Sequence, residues 1–263
     1  MELGLNNKVA LVAASSRGLG RAVAEELAIE GANLILCARD AGPLHETAEA
    51  IRGSTGVRVL SVAADVSLPG DVRRVVDSAL SEFNRIDILV TNAGGPPAGR
   101  FEFLSEADWM SAVRLTLFSV VELVRGVLPS MKEQKWGRIL NITSIAVKQP
   151  VDNLMLSNSL RSAVTGFART LANEVAADGI TVNNILPGYT RTERVEELAR
   201  MMAEKEEISA ADFKSSWENQ IPIRRLGEPR EFAALAAFLV SERASYITGT
   251  SIQVDGGWIR SLL

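Results

Sequence analysis

Val9-Ala-Leu-Val-Ala-Ala14, then Ser15-Ser-Arg-Gly-Leu-Gly20, then a helical stretch over 19–30, is the segment whose reading decides the fold. The apolar run has strand length and stops at a Ser/Gly turn, and Val23, Leu27 and Ala28 recur behind it at helical spacing. Gly31 ends that helix, and Asn33-Leu-Ile-Leu-Cys37 supplies a second apolar run. The alternation continues: runs at 57–62, 86–90, 138–142 and 180–186 are separated by helical stretches near 44–52, 71–83, 107–131 and 154–177. A helix at 231–240 and a last strand and turn at Ser251-Ile-Gln-Val-Asp-Gly-Gly257 complete the pattern. Strands apolar on both faces and alternating with helices specify a parallel sheet covered on both sides.

The expected fold is therefore α/β, a single-domain Rossmann-type doubly wound parallel sheet over 1–263. No Pro/Gly/Ser linker, repeat or low-complexity tract interrupts it. The charged stretch after the sixth strand reads as a helical substrate-loop insertion at about 192–218, with a plain solvated face as the equal alternative. Apolar residues make up 47% and charged residues 23%, which excludes a disordered or fibrous chain. A net charge of −4 gives nucleic acid or an anionic membrane no bulk attraction. A single cysteine, Cys37, excludes an internal disulfide and any multi-cysteine metal site, and one histidine, His45, leaves nothing for a zinc site beside a Ser-His-Asp triad. No metal is expected. No apolar run reaches the roughly 18 residues of a membrane span. Met1 to Lys8 lack the basic-then-apolar pattern of a signal peptide, so a cytoplasmic protein is expected.

In an open parallel sheet, ligands bind beyond the carboxyl ends of the strands. After the first strand, Gly18 and Gly20 let backbone approach a pyrophosphate, and the following helix offers unpaired N–H groups and the positive end of its dipole. A plain strand-to-helix turn would explain the same glycines. After the second strand stand Arg39 and Asp40. Arg39 with Arg17 makes a fork for a 2′-phosphate, favouring NADP, while Asp40 keeps NAD open. Both arginines also suit an ordinary surface.

At this point the chain resembles the short-chain dehydrogenase/reductase family over about residues 5–258. The elements that carry the resemblance are Ser16-Arg-Gly-Leu-Gly20, Ala64-Asp-Val66, Asn92-Ala-Gly94, Asn141-Ile-Thr-Ser144, Pro187-Gly188 with Thr192, Arg225-Leu-Gly-Glu-Pro229 and Asp255-Gly-Gly257. The resemblance implies a cofactor site made of Ser16, Arg17, Gly18, Leu19, Gly20, Arg39, Asp65, Val66, Asn92, Ala93, Gly94, Pro187, Gly188 and Thr192. Asp65 and Val66 would flank the adenine, and Thr192 would hold the carboxamide. Asp65 and Asn92 also read as strand-end turn formers. The scaffold segments look most like 3-oxoacyl-acyl-carrier-protein reductases.

The family's Asn, Ser, Tyr and Lys are only partly kept. Ser144 matches the Ser, but Ser157 stands where the Tyr belongs, Arg161 replaces the Lys, and the Asn position falls on Thr116. Ala14 replaces the usual first glycine. A serine hydroxyl is a far weaker acid than a tuned tyrosine, and arginine has no proton to relay at neutral pH. The catalytic set implied is Ser144, Ser157 and Arg161, with water or Tyr189 as proton donor. Lys148 is a further candidate if desolvated, with an exposed loop lysine as its plain reading. His45 reads as a surface residue, Cys37 as a buried small hydrophobe, and Tyr246 as a packing residue of its turn. Met155, Met201 and Met202 read as packing, or as the lining of an apolar pocket.

Three functions fit: an NADP(H)-dependent oxidoreductase of carbonyl or alcohol substrates, a nucleotide-binding sensor without turnover, and a non-redox lyase or epimerase. The partner expected is a small-molecule substrate, with neither nucleic acid nor membrane. The resemblance also implies a homo-oligomer, tetramer or dimer. Leu115, Leu117, Phe118, Val120 and Val121 suit its apolar helix face, and suit packing on the chain's own sheet equally well.

Overall fold

The computed structural model describes residues 2–205 and 207–262. Met1, Glu206 and Leu263 lie outside the described residues, so both ends of the expected 1–263 domain and one position of the expected 192–218 insertion do too.

The elements follow in the order β1 (Val9–Ala13), α1 (Gly18–Ile29), β2 (Asn33–Ala38), α2 (Ala41–Thr55), β3 (Val59–Ala63), α3 (Pro69–Phe83), β4 (Ile88–Thr91), α4 (Glu106–Ala112), α5 (Ser119–Gln134), β5 (Gly137–Ile142), α6 (Met155–Val175), β6 (Ile180–Pro187), α7 (Glu193–Lys205), α8 (Ala210–Gln220), α9 (Pro229–Leu239) and β7 (Ser251–Val254). The strands form one sheet in the order β3-β2-β1-β4-β5-β6-β7, every neighbouring pair parallel. The order turns back between β1 and β4, which opens a crevice at the carboxyl ends of those strands.

Alternate residues of each strand feed opposite layers. Leu11, Ile35, Leu89, Ile139 and Val182 pack with α3, α5 and α6, whereas Val12, Leu34, Leu36, Val90 and Leu140 pack with α1, α2 and α9. Each such side chain, taken fully out of water, contributes about 1.5–3 kcal/mol. A smaller cluster of Phe213, Trp217, Ile221 and Leu226 holds α7 and α8 together apart from the main core.

Some boundaries differ from expectation. The third strand starts at Val59 rather than 57, because Gly56 caps α2 with φ +75° and the Arg58 N–H is taken by Asn33 Oδ1. The continuous helix expected over 107–131 is broken into α4 and α5 by a π-helical turn, Val113–Phe118, whose wider coil swings Thr116 inward. The apolar face suggested for self-association is also divided. Val120 is buried and Leu117 packs on the sheet-side core, while Phe118 stays half exposed. Among the described residues no helix is long and apolar enough to cross a membrane.

Candidate active site

The turn between β1 and α1 is built on close approach. Ala14 sits in the left-handed region at φ +49°, as does Gly18 at +60°. A Cβ on Gly20 would lie 2.3 Å from the Ala14 carbonyl oxygen and 2.9 Å from Asn92 Nδ2, so only glycine lets α1 and the end of β4 meet the turn. Asn92 Nδ2 in turn donates to the Ala14 carbonyl at 3.5 Å. Ser16 anchors the loop to α2 through its carbonyl, which accepts from Thr47 Oγ1 at 3.0 Å, and Leu19 packs on the β-sheet layer below. The first turn of α1 has neither a side-chain cap nor an acidic residue. Among the described residues its first N–H groups have no side-chain partner, and free N–H groups at the positive end of a helix dipole are the chemistry that holds a phosphate.

At the end of β2 the two candidate ribose readers part. Asp40 caps α2, accepting from the Gly42 N–H at 3.2 Å, while Arg39 is exposed with no hydrogen bond or ion pair among the described residues. Arg17 reaches Glu193 of α7 at 3.4 Å, both side chains about two-thirds exposed. Asp65 accepts from the Ser67 N–H at 2.9 Å, and Val66 beside it is buried. The Asp65 N–H, followed by Arg74, holds the Asp71 carboxyl below its ordinary range. Thr192 comes within 3.8 Å of where a Gly18 Cβ would stand, which brings the β6 loop onto the glycine turn. Gly188, next to Pro187, leaves no room for a side chain, since a Cβ there would lie 2.8 Å from Asp255 Cα. Gly94 faces open space.

The residues expected at the family's Tyr and Lys positions lie on α6, beside the end of β5. Arg161 is fixed by three neutral acceptors: its Nη1 donates to the carbonyls of Thr143 at 2.7 Å and Ile142 at 3.2 Å, and its Nε donates to Ser157 Oγ at 3.2 Å. Burial pulls its pKa down from the usual arginine value to about 10, so it remains a cation at neutral pH. Arg161, Asn92, Ala93, Thr116 and Thr143 line one small cavity with room for about one water molecule. The hydroxyls of Thr116 and Thr143 are buried without a hydrogen-bond partner among the described residues. Ser144 stands apart from this group. Its Oγ accepts from the Ala146 N–H at 3.1 Å and makes no hydrogen bond with Ser157 or Arg161.

Several substitute acids lose ground. Tyr189 stacks on Trp217 at 4.5 Å and meets Trp258 edge-on at 6.0 Å, and burial pushes its phenol up, away from neutrality. Lys148 is not a free loop lysine, since its Nζ donates to Gln253 Oε1 at 2.8 Å. Burial pushes the Cys37 thiol up to about 12, which leaves it inert. His45 is exposed, 3.9 Å from Glu49. Tyr246, expected to pack, is fully exposed instead.

A polar ladder beneath the site was missed. Thr91 Oγ1 donates to Asn141 Oδ1 at 2.7 Å, Asn141 Nδ2 donates to Asn184 Oδ1 at 3.1 Å, and Asn184 Nδ2 donates to Ser251 Oγ at 3.0 Å. These residues are direct partners in the register of β4, β5, β6 and β7. The available signal was Asn141 in β5 and Asn184 in β6, amide side chains in strands buried on both faces, which need buried partners.

The model of the family described as enoyl-(acyl carrier protein) reductase matches residues 13–259. The 3-oxoacyl-acyl-carrier-protein reductase FabG of Haemophilus influenzae is 34% identical over 253 residues, covering 96% of this chain and 98% of the relative. Oxidoreductase UcpA of Escherichia coli K12 is 36% identical over 255 residues, covering 96% and 95%. The solved structure of L-sorbose reductase from Gluconobacter frateurii, complexed with NADPH and L-sorbose, superposes with a TM-score of 0.96 at 37% identity over all of both chains. With the sheet order, the glycine turn and the strand-end residues already described, these matches place the chain in the short-chain dehydrogenase/reductase family of oxidoreductases.

Proposed function

We propose that this chain is an NADP(H)-dependent reductase or dehydrogenase of a small carbonyl or alcohol substrate, working with a divergent proton donor. The observation that carries the reading is the uncapped start of α1 facing the crevice, with Arg17 and Arg39 beyond it and Asp40 engaged as a helix cap. A free arginine and an occupied aspartate favour a 2′-phosphate over two bare ribose hydroxyls. The NADPH bound by L-sorbose reductase supports the same choice.

NADPH, when bound, supplies the hydride. The protein's own part is to orient the carbonyl and manage one proton. Ser144 keeps its hydroxyl proton free, because its Oγ serves as acceptor for Ala146, and it can donate to the carbonyl oxygen. Ser157 accepts from the cationic Arg161, which makes its remaining proton more acidic while leaving it far weaker than a phenol. Arg161 fixes Ser157 and the end of β5 without itself releasing a proton. A water held among Arg161, Thr116 and Thr143 is the proton source we favour, since Tyr189 is engaged in its aromatic stack. In this reading the helical insertion that carries α7 and α8 is the substrate loop.

A second reading, a nucleotide-binding protein without turnover, draws on the same Arg161 geometry, which locks the Lys position onto backbone carbonyls. One experiment separates them. Purified protein is titrated with NADPH, then tested at 340 nm on 3-oxoacyl thioesters, diketones, ketoses and aldehydes. The double variant Ser157→Tyr with Arg161→Lys is tested beside it. Slow turnover that rises toward the 100- to 10,000-fold typical of general-acid help supports the reductase. Tight NADPH binding with no turnover in either protein supports the sensor.

A further inference from the structure

The small cavity beside the end of β5 is lined from elements that meet on one face of the sheet. Ile139 packs with α5 and α6 while Leu140 and Ile142 pack on the opposite layer, so alternation sends the side chains of Asn141 and Thr143 toward α5 and α6. Thr143 keeps that alternation, because its N–H donates to the Ile185 carbonyl at 3.0 Å and continues the ladder to β6. Thr116 enters from the π-helical turn and Arg161 from α6, and Val120 and Val164 complete the apolar part of the wall.

Two features set this cavity apart from an ordinary hydration site. Thr116 is 6% exposed and Thr143 3%, and each hydroxyl carries a proton that no group among the described residues accepts. Among the described residues that line the cavity Arg161 alone is charged, and its guanidinium meets only neutral acceptors, with Nη2 making no hydrogen bond. Desolvation shifts its pKa with no carboxylate opposing it. A desolvated cation without a counter-ion is costly, and hydroxyl donors bond more strongly to a charged acceptor. The ligand chemistry that fits is a single monatomic anion, because the space holds about one water molecule and is too small for phosphate or a carboxylate.

We infer that Arg161, Thr116 and Thr143 form a site for chloride, which takes the place of the water assigned above as proton source and so slows proton delivery. The effect on rate rests on the reductase reading; the binding does not.

The test follows melting temperature and chloride NMR line broadening in sodium chloride, bromide, iodide or gluconate at constant ionic strength. Wild type, R161Q, T116V and T143V are compared, with NADPH oxidation measured alongside. Chloride should raise the wild-type melting temperature saturably, by about 5 °C at roughly a hundredfold excess over its dissociation constant. The effect should fall from chloride through bromide to iodide as the ion outgrows the space, whereas loose surface binding favours iodide. R161Q should lose the effect. T116V and T143V should each weaken chloride about tenfold, the loss of one hydrogen bond to a charged group, while the Thr143 carbonyl still holds Arg161. A rise that does not saturate, an order led by iodide, or an undiminished response in R161Q overturns the site. If R161Q does not fold, T116V and T143V decide alone, and unchanged chloride affinity in both overturns it. Saturable chloride binding with no turnover under any condition refutes the reductase reading and leaves the site standing. Turnover without saturable chloride binding refutes the site alone, and turnover that saturating chloride leaves unchanged refutes the displacement of the water.

Discussion

Replacing Asn141 with alanine removes the middle rung of the buried ladder that joins β4 to β7. The side chain accepts from Thr91 at 2.7 Å and donates to Asn184 at 3.1 Å, and all three residues are at most 2% exposed. Its loss leaves a hydroxyl and an amide oxygen unpartnered in the interior. At about 1–3 kcal/mol for each orphaned group, N141A should cost about 2–6 kcal/mol. That is a large share of the roughly 5–15 kcal/mol that holds a typical domain together. Urea unfolding provides the assay: the midpoint falls while the slope m stays constant, because the surface exposed on unfolding is nearly the same. Thr91→Val supplies the decisive control. In the wild type it strands Asn141 Oδ1, but in N141A the partner has already gone. The double variant should therefore be about 1–2 kcal/mol more stable than the sum of the single losses predicts. NADPH affinity should fall too, since the ladder positions the strand ends that carry Asn92 and Thr143. Losses that add within about 0.5 kcal/mol, or an N141A cost under about 1 kcal/mol, would refute the ladder as a coupled unit.

Two further predictions concern local conformation and pH. Ala14→Gly relieves a left-handed non-glycine residue, worth about 1–2 kcal/mol, against about 0.5–1 kcal/mol of extra chain entropy, so a small net gain is expected. The melting temperature should rise by roughly 1–4 °C, and an unchanged or lowered value would count against strain at the turn. Glu231 is held by Arg225 at 2.7 and 2.6 Å and by the Glu228 N–H at 2.8 Å, which brings its carboxyl down to about 2. A depressed carboxyl stabilises the fold above its unfolded pKa near 4.5 and loses that effect as pH falls through 2. Glu231→Gln should therefore melt lower than wild type at neutral pH, with the gap closing between pH 4.5 and 2. A gap that is constant across that range would mean the pair does not act through its charge.

The alternating pattern from Val9 onward determined the parallel α/β fold without help, because strand and helix periods and glycine breaks are short-range signals written in consecutive residues. Whereas the reading of Ser157 and Arg161 at the positions of an acid pair came from the family resemblance, the same local reading located the glycine turn and Arg39. It extended the helix through Thr116, since a π-helical turn keeps nearly the same apolar spacing as the coil around it. It also assigned Tyr189 and Lys148 by their nearness in sequence to the site, whereas their side chains are taken by Trp217 and Gln253. What only the tertiary structure decided has one physical cause. The Asp40 cap of α2, Arg161 on the end of β5, and the ladder from Thr91 to Ser251 all depend on which groups meet, and most of these meetings join residues far apart in the chain. Strand register and the path of α6 set those meetings, and neither is encoded in any single stretch of residues.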